Sequence, residues 1–212
     1  MHISEGVLST PVLLSGGAIA AGGVALGLRK IDDERIPTVA LLSAAFFVVS
    51  LIHVPIGPTS THLVLNGLAG VLLGWATFPA ILVALLLQAV LFGHGGLTSL
   101  GVNTVTMALP GVACHYLFRR ALRSDSRVVV FWSAFAAGAL AIVAAVALVG
   151  LALLASGKEF VHFVSLVSLT HVPVALVEGL VTGSVAVFLK TVKPELLRWP
   201  VRPPAGKEPD NA

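Results

Sequence analysis

The sequence predicts an all-α membrane protein, a polytopic bundle of seven transmembrane helices with the N-terminus outside and the C-terminus cytoplasmic. Three observations carry this. Of the 212 residues 57% are hydrophobic and only 11% charged, with a mean hydropathy of +0.98, whereas a soluble domain needs about a quarter charged residues to face water. The apolar residues fall into seven stretches. The positive charges fall almost entirely on one side of them.

The stretches run over about 7–28, 37–53, 61–74, 77–92, 101–118, 128–155 and 163–189. Each is near, or can be completed to, the ~20 residues that span a hydrocarbon core, and the third and fourth are short and contiguous enough for a tight helical hairpin. Backbone amides in lipid must be satisfied internally, and no segment alternates polar and apolar residues as a barrel strand does. Small residues crowd the spans, as in LLSGGAIAAGGVALG and AFAAGALAIVAAVALVGLALLA, a pattern that lets helices approach closely.

An outside N-terminus places the loops at 29–36, 74–77 and 119–127 and the tail inside. Of the 13 Lys and Arg residues, three lie at 29–36, four at 119–127 and five from Lys190 to Lys207, which leaves only Lys158 outside. The positive-inside rule selects seven spans over six on this split. The net charge of +3 then records orientation and gives no sign of nucleic-acid binding. Residues 1–20 contain no Lys or Arg, so they lack the basic region of a secretory signal, and the first span is expected to be retained with Met1. The single Cys114 excludes an intrachain disulfide and reads as a small helix-packing residue. Residues 1–192 form one membrane domain, and 193–212 a polar, Pro-rich, basic tail exposed on the inner face.

The outer loops HVPIGPTSTH and FGHGGLTSLGVN carry no Lys, Arg, Asp or Glu. They are turn-forming and polar without charge, so they can fold back into the bundle. Topology places His2, His53, His62, His94 and His162 at or near the outer face and only His115 at the inner side, with His171 along the seventh span. Imidazole suits Zn, Cu, Ni and Co, yet HExxH and CxxC are absent. What remains is the amino terminus. An α-amine, the backbone nitrogen of residue 2 and Nδ1 of a histidine at that position can chelate one ion in fused rings, and a planar nitrogen set suits Cu(II) and Ni(II). The other reading of His2 is an unstructured chain start.

Four stretches sharpen this. MHISEG is similar to MHI-x-(E/D)-G, VPIGPTSTHL to VP-x-GG-T-S-x-H, LLLQAVLFGHGGLTSLGVNTVTM to LLxQALLFxDGGLTALGxNxxNM, and HVPVALVEG to HxPxAxxEG. In this order and over nearly the whole chain, they resemble the CbiM/NikM family, the substrate-binding membrane component of energy-coupling-factor transporters for cobalt and nickel. The resemblance implies a planar site formed by the Met1 amine, the amide and imidazole of His2, and the imidazole of His62. His53 precedes the motif and reads as an interfacial polar residue. His94 stands where the family often has Asp, Gly57-Pro58 replaces the family's GG, and Thr106 replaces its second Asn.

Asn103, the matched amide, has two readings: a hydrogen bond that holds a ligating histidine, or a helix-to-helix hydrogen bond. His171 and Glu178 lie seven residues, or two turns, apart on one helix face. Glu178 is the only acid within an apolar span, where a lone carboxylate costs a few kcal/mol or more and is a functional suspect. The pair reads as a polar lock inside the bundle or as a part of metal passage.

The expected function is capture of divalent cobalt or nickel at the outer face and delivery inward, with the metal as cargo and no cofactor. No GxxxxGK[ST] loop is present, so the chain is not expected to be an enzyme that hydrolyses ATP. The resemblance implies cytoplasmic ATPase subunits, a transmembrane coupling protein and often a small accessory membrane subunit as partners, in a bacterial or archaeal cell membrane. The basic inner loops suit those partners or inner-leaflet lipid. Two rivals are an ion-coupled secondary carrier, which favours several buried acids and inverted repeats, and an intramembrane metalloenzyme, which needs a base and ligands within the spans.

Overall fold

The computed structural model describes residues 2–56, 59–157 and 161–198. It is nearly all helical. After an irregular amino-terminal segment come α1 (Thr10–Leu28) and α2 (Ile36–Ser50), then a short antiparallel hairpin of β1 (His53–Ile56) and β2 (Thr59–His62). The chain continues through α3 (Asn66–Leu73), α4 (Thr77–Phe92), α5 (Leu100–Leu122), α6 (Arg127–Ser156), α7 (Val161–Thr170) and α8 (Val172–Val192).

Among the described residues, four segments are long and apolar enough to cross a membrane: Thr10–Leu28, Asn66–Phe92, Arg127–Ser156 and Val172–Val192. Large apolar side chains such as Leu14, Leu41, Leu117, Leu151, Leu169 and Phe188 are exposed around the bundle, as lipid contact requires. The core lies between the helices, where Phe46, Phe78, Ile81, Met107 and Ile142 pack together.

Glycines set the closest crossings. A Cβ on Gly70 of α3 would run into the Gly111 backbone of α5, and one on Gly111 would lie 2.5 Å from the Asn66 carbonyl. A Cβ on Gly138 of α6 would lie 2.7 Å from both the Glu178 carbonyl and Thr182 Oγ1 of α8. At these crossings the small residues permit close backbone contact.

The structure differs from the sequence expectation in four places. The third apolar stretch is helical only over the eight residues of α3, about 12 Å long. All eight are buried, and α3 continues through the 3-10 turn Gly74–Ala76 into α4. The seventh stretch divides at His171, because Pro173 lacks the N–H that would bond back to residue 169. The loop at 53–62 is a hairpin that pairs His53 with His62 across the two strands. Finally, the start of the expected polar tail forms a 3-10 turn, Pro194–Arg198, and buries Leu197 against Val130, Ala134 and Ala186.

The helix ends sort by chemistry. The turn at 29–35, the α5–α6 connection and the end of α8 share one end of the bundle, where Lys190 donates to the Ser124 carbonyl and Arg35 pairs with Asp32 at 3.1 Å. The amino-terminal segment, the hairpin and the α4–α5 loop share the other.

Candidate metal site

The amino-terminal segment is tied into this second end. Ile3 is buried and packs with Leu8, Val102, Val149 and Leu153. Its N–H donates to Asn103 Oδ1 at 3.0 Å, and its carbonyl accepts from Asn103 Nδ2 at 3.0 Å and Ser99 Oγ at 2.8 Å. The carboxamide therefore holds both polar groups of one residue, as a neighbouring strand would. Glu5 Oε1 accepts from the Thr98 N–H at 3.1 Å, and the Ser9 N–H donates to Ser156 Oγ at 3.0 Å. Gly95, at φ +78°, passes so close that a Cβ there would lie 3.2 Å from Asn103 Nδ2 and 3.6 Å from His2 Cβ, so the α4–α5 loop closes over the segment at a position that suits glycine.

This anchoring brings His2 to His62. Their ring centroids are 5.1 Å apart with 28° between the planes. Two imidazoles on adjacent corners of one ion, with metal–nitrogen distances near 2.0–2.1 Å, have centroids about 4.5 Å apart. The observed separation is slightly longer than that. His94 flanks the pair, 6.3 Å from His2.

The hydrogen bonds select a tautomer for each ring. His2 Nε2 lies 2.7 Å from Gln88 Oε1, and an amide oxygen only accepts, so the proton is on Nε2 and the basic lone pair on Nδ1. His62 Nδ1 lies 2.8 Å from the Leu63 carbonyl, which places the proton on Nδ1 and the lone pair on Nε2. Gln88 Nε2 in turn donates to Ser50 Oγ. Gln88 and Ser50 are both buried, so this chain of polar groups is fixed by helix packing.

Among the described residues no three His, Cys, Asp or Glu side chains form a metal-binding group. The nitrogen pair is what the described residues bring together. Met1, Gly57-Pro58 and the side chain of His53 lie outside the described residues.

The other expected residues take different places. Asn103 bonds the Ile3 backbone, as described, so it fixes the segment that carries His2. Glu178 is fully buried. Its Oε1 accepts from the backbone N–H of Val64 and, at 2.8 Å, of Leu65, while Oε2 has no partner among the described residues. His171 Nδ1 lies 2.7 Å from the Val167 carbonyl, and its buried Nε2 has no hydrogen-bond partner among the described residues. It lines a cavity of about 280 Å³ with Ile142, Val146 and Ser168. His115 sits at the other end, 3.1 Å from the Val71 carbonyl. Gln88, Ser50 and Ser99 escaped the sequence reading. The available signal was polar residues inside apolar runs, as in LLLQAVL.

Outward-facing apolar helices around an end that brings two imidazoles together beside buried amides define a multi-pass membrane protein with a polar, histidine-bearing end. The chain belongs to the CbiM family, described as the cobalt uptake substrate-specific transmembrane region, whose profile matches residues 2–196. It is 45% identical to a Haemophilus influenzae protein provisionally named a metal transport protein, over 93% of this chain and 97% of that one. It is 37% identical to the fused nickel transport protein NikMN of Rhodobacter capsulatus, over 98% of this chain and 67% of that one. The cobalt transport protein CbiM of Sorangium cellulosum is 34% identical, over 93% and 94%. A solved transition metal transporter superimposes with a TM-score of 0.73 at 26% identity, covering 93% of this chain and 96% of its own.

Proposed function

We propose that the chain is the substrate-specificity component of an energy-coupling-factor importer that captures divalent cobalt or nickel at the outer face of a cell membrane. The observation that carries this is the pairing of His2 with His62 at 5.1 Å. Their hydrogen bonds present Nδ1 of one ring and Nε2 of the other as basic nitrogens. The Met1 amine and the His2 backbone nitrogen complete a four-nitrogen set around the ion, beneath the loop that carries Gly95.

In this reading the chain crosses the membrane seven times, N-terminus outside, and the basic end faces the cytoplasm. Short segments such as α3 cross with the help of their neighbours. Energy comes from separate ATPase subunits through a transmembrane coupling protein, with which an accessory membrane subunit can associate. The ion is released inward when the bundle reorients. An ion-coupled carrier would place several acids along a path, and Glu178 is the single acid in the apolar spans. The deciding experiment is metal uptake by cells that express the chain with and without its ATPase partners. Uptake that needs the ATPases supports the importer; full uptake without them indicates a carrier.

A further inference from the structure

Glu178 and His62 meet at a single peptide group. The peptide between Leu63 and Val64 presents its N–H to Glu178 Oε1 and its carbonyl to His62 Nδ1 at 2.8 Å. The carboxylate therefore holds one edge of the plane and the imidazole the other. Leu65, with φ 53°, turns the chain abruptly into α3, and its N–H is the second donor to Glu178 Oε1 at 2.8 Å. Both N–H groups precede a helix and have no intrahelical acceptor, so the carboxylate is their designated partner. Glu178 and Val64 are fully buried, which leaves no water to take over the bonds.

We propose that Glu178 is a positioning residue for His62, acting through the Leu63–Val64 peptide and never touching the metal. A carboxylate on the N–H edge polarises the amide and strengthens its carbonyl as an acceptor. The carbonyl keeps the His62 proton on Nδ1, which leaves Nε2 as the basic nitrogen of the ring stacked on His2. The arrangement does for His62 what a carboxylate bonded directly to a metal-bound imidazole does elsewhere, with one peptide interposed. It rests on the reading of His62 as a ligand.

The test uses the purified full-length chain in detergent micelles, titrated with NiCl₂ and read by competition affinity and by the d–d absorption band. Four variants are compared: Glu178→Leu, Glu178→Gln, Glu178→Asp and His62→Ala. Loss of such a supporting partner typically weakens metal affinity about 10- to 100-fold. Glu178→Leu is expected to fall in that range and to move the d–d band to the position His62→Ala gives. Combined with His62→Ala it should cost nothing more. Glu178→Gln keeps an acceptor oxygen at the same reach and should retain most of the affinity, whereas Glu178→Asp, one methylene short, should lose it.

Native affinity and an unmoved band in Glu178→Leu overturn the proposal, as does a loss that adds in full to that of His62→Ala. If Glu178→Leu does not give monodisperse protein, the Asp and Gln variants decide, and the reverse order of affinities overturns the proposal. Native binding by His62→Ala overturns the ligand set itself. A weakened His62→Ala beside a native Glu178→Leu overturns only the role of Glu178.

Discussion

Replacing Asn103 by Leu isolates the anchor of the amino-terminal segment. The Ile3 carbonyl keeps Ser99 Oγ at 2.8 Å, but the Ile3 N–H loses its bond to Asn103 Oδ1 in a place where Ile3 is 5% exposed. A buried donor left without an acceptor costs about 1–3 kcal/mol. In the metal-free variant the segment escapes that cost by lifting into water. Binding must bring it back, so the cost appears as lost affinity, about 5- to 150-fold. Ser99→Ala is the contrast, because the Ile3 carbonyl retains Asn103 Nδ2 at 3.0 Å; its loss should stay below about fivefold. The assay is NiCl₂ titration of the purified protein by competition, paired with hydrogen exchange of residues 2–4, which should accelerate in Asn103→Leu. Affinity within twofold of native, with exchange unchanged, would refute the reasoning.

Gln88→Leu removes the acceptor that fixes the His2 proton on Nε2, and should weaken Ni(II) binding about 10- to 100-fold in the same titration. Gly111→Ala drives a methyl against the Asn66 carbonyl at 2.5 Å, whereas Gly22 has nothing within 4 Å of an added Cβ. Thermal unfolding in micelles should show Gly111→Ala destabilised by about 1–3 kcal/mol and Gly22→Ala unchanged or slightly more stable. His115, bonded to Val71 at the opposite end, can be changed to Ala with no effect on Ni(II) affinity.

The class of the fold was legible because lipid imposes it: apolar helices and one-sided positive charge are written locally in the chain. His2, His62, Asn103 and Glu178 were legible as polar residues in special places. Their partners were not. Asn103 reaches Ile3 across 100 residues and Gln88 reaches His2 across 86, separations that no local pattern encodes. The break at His171 had its signal in Pro173, but the apolar run hid it, since lipid-facing helices tolerate proline when neighbours supply the missing bonds. The shortness of α3 follows from Leu65 and Gly74, both at positive φ, at its two ends, and Glu178 accepts from the N–H groups of Val64 and Leu65 at the first of them. That constraint is tertiary. The hairpin at 53–62 likewise sits in a stretch whose Gly and Pro signalled a turn without saying that its flanks pair.

The most direct test of the account is to place one additional residue before Met1 and titrate NiCl₂ into the intact protein, after mass spectrometry has verified both amino termini. The extension removes the amine from the chelate while leaving His2, His62 and the bundle in place. Binding is expected to weaken at least as much as in His62→Ala, with loss of the planar-nitrogen absorption band. Native affinity and an unchanged band in the extended chain would contradict it.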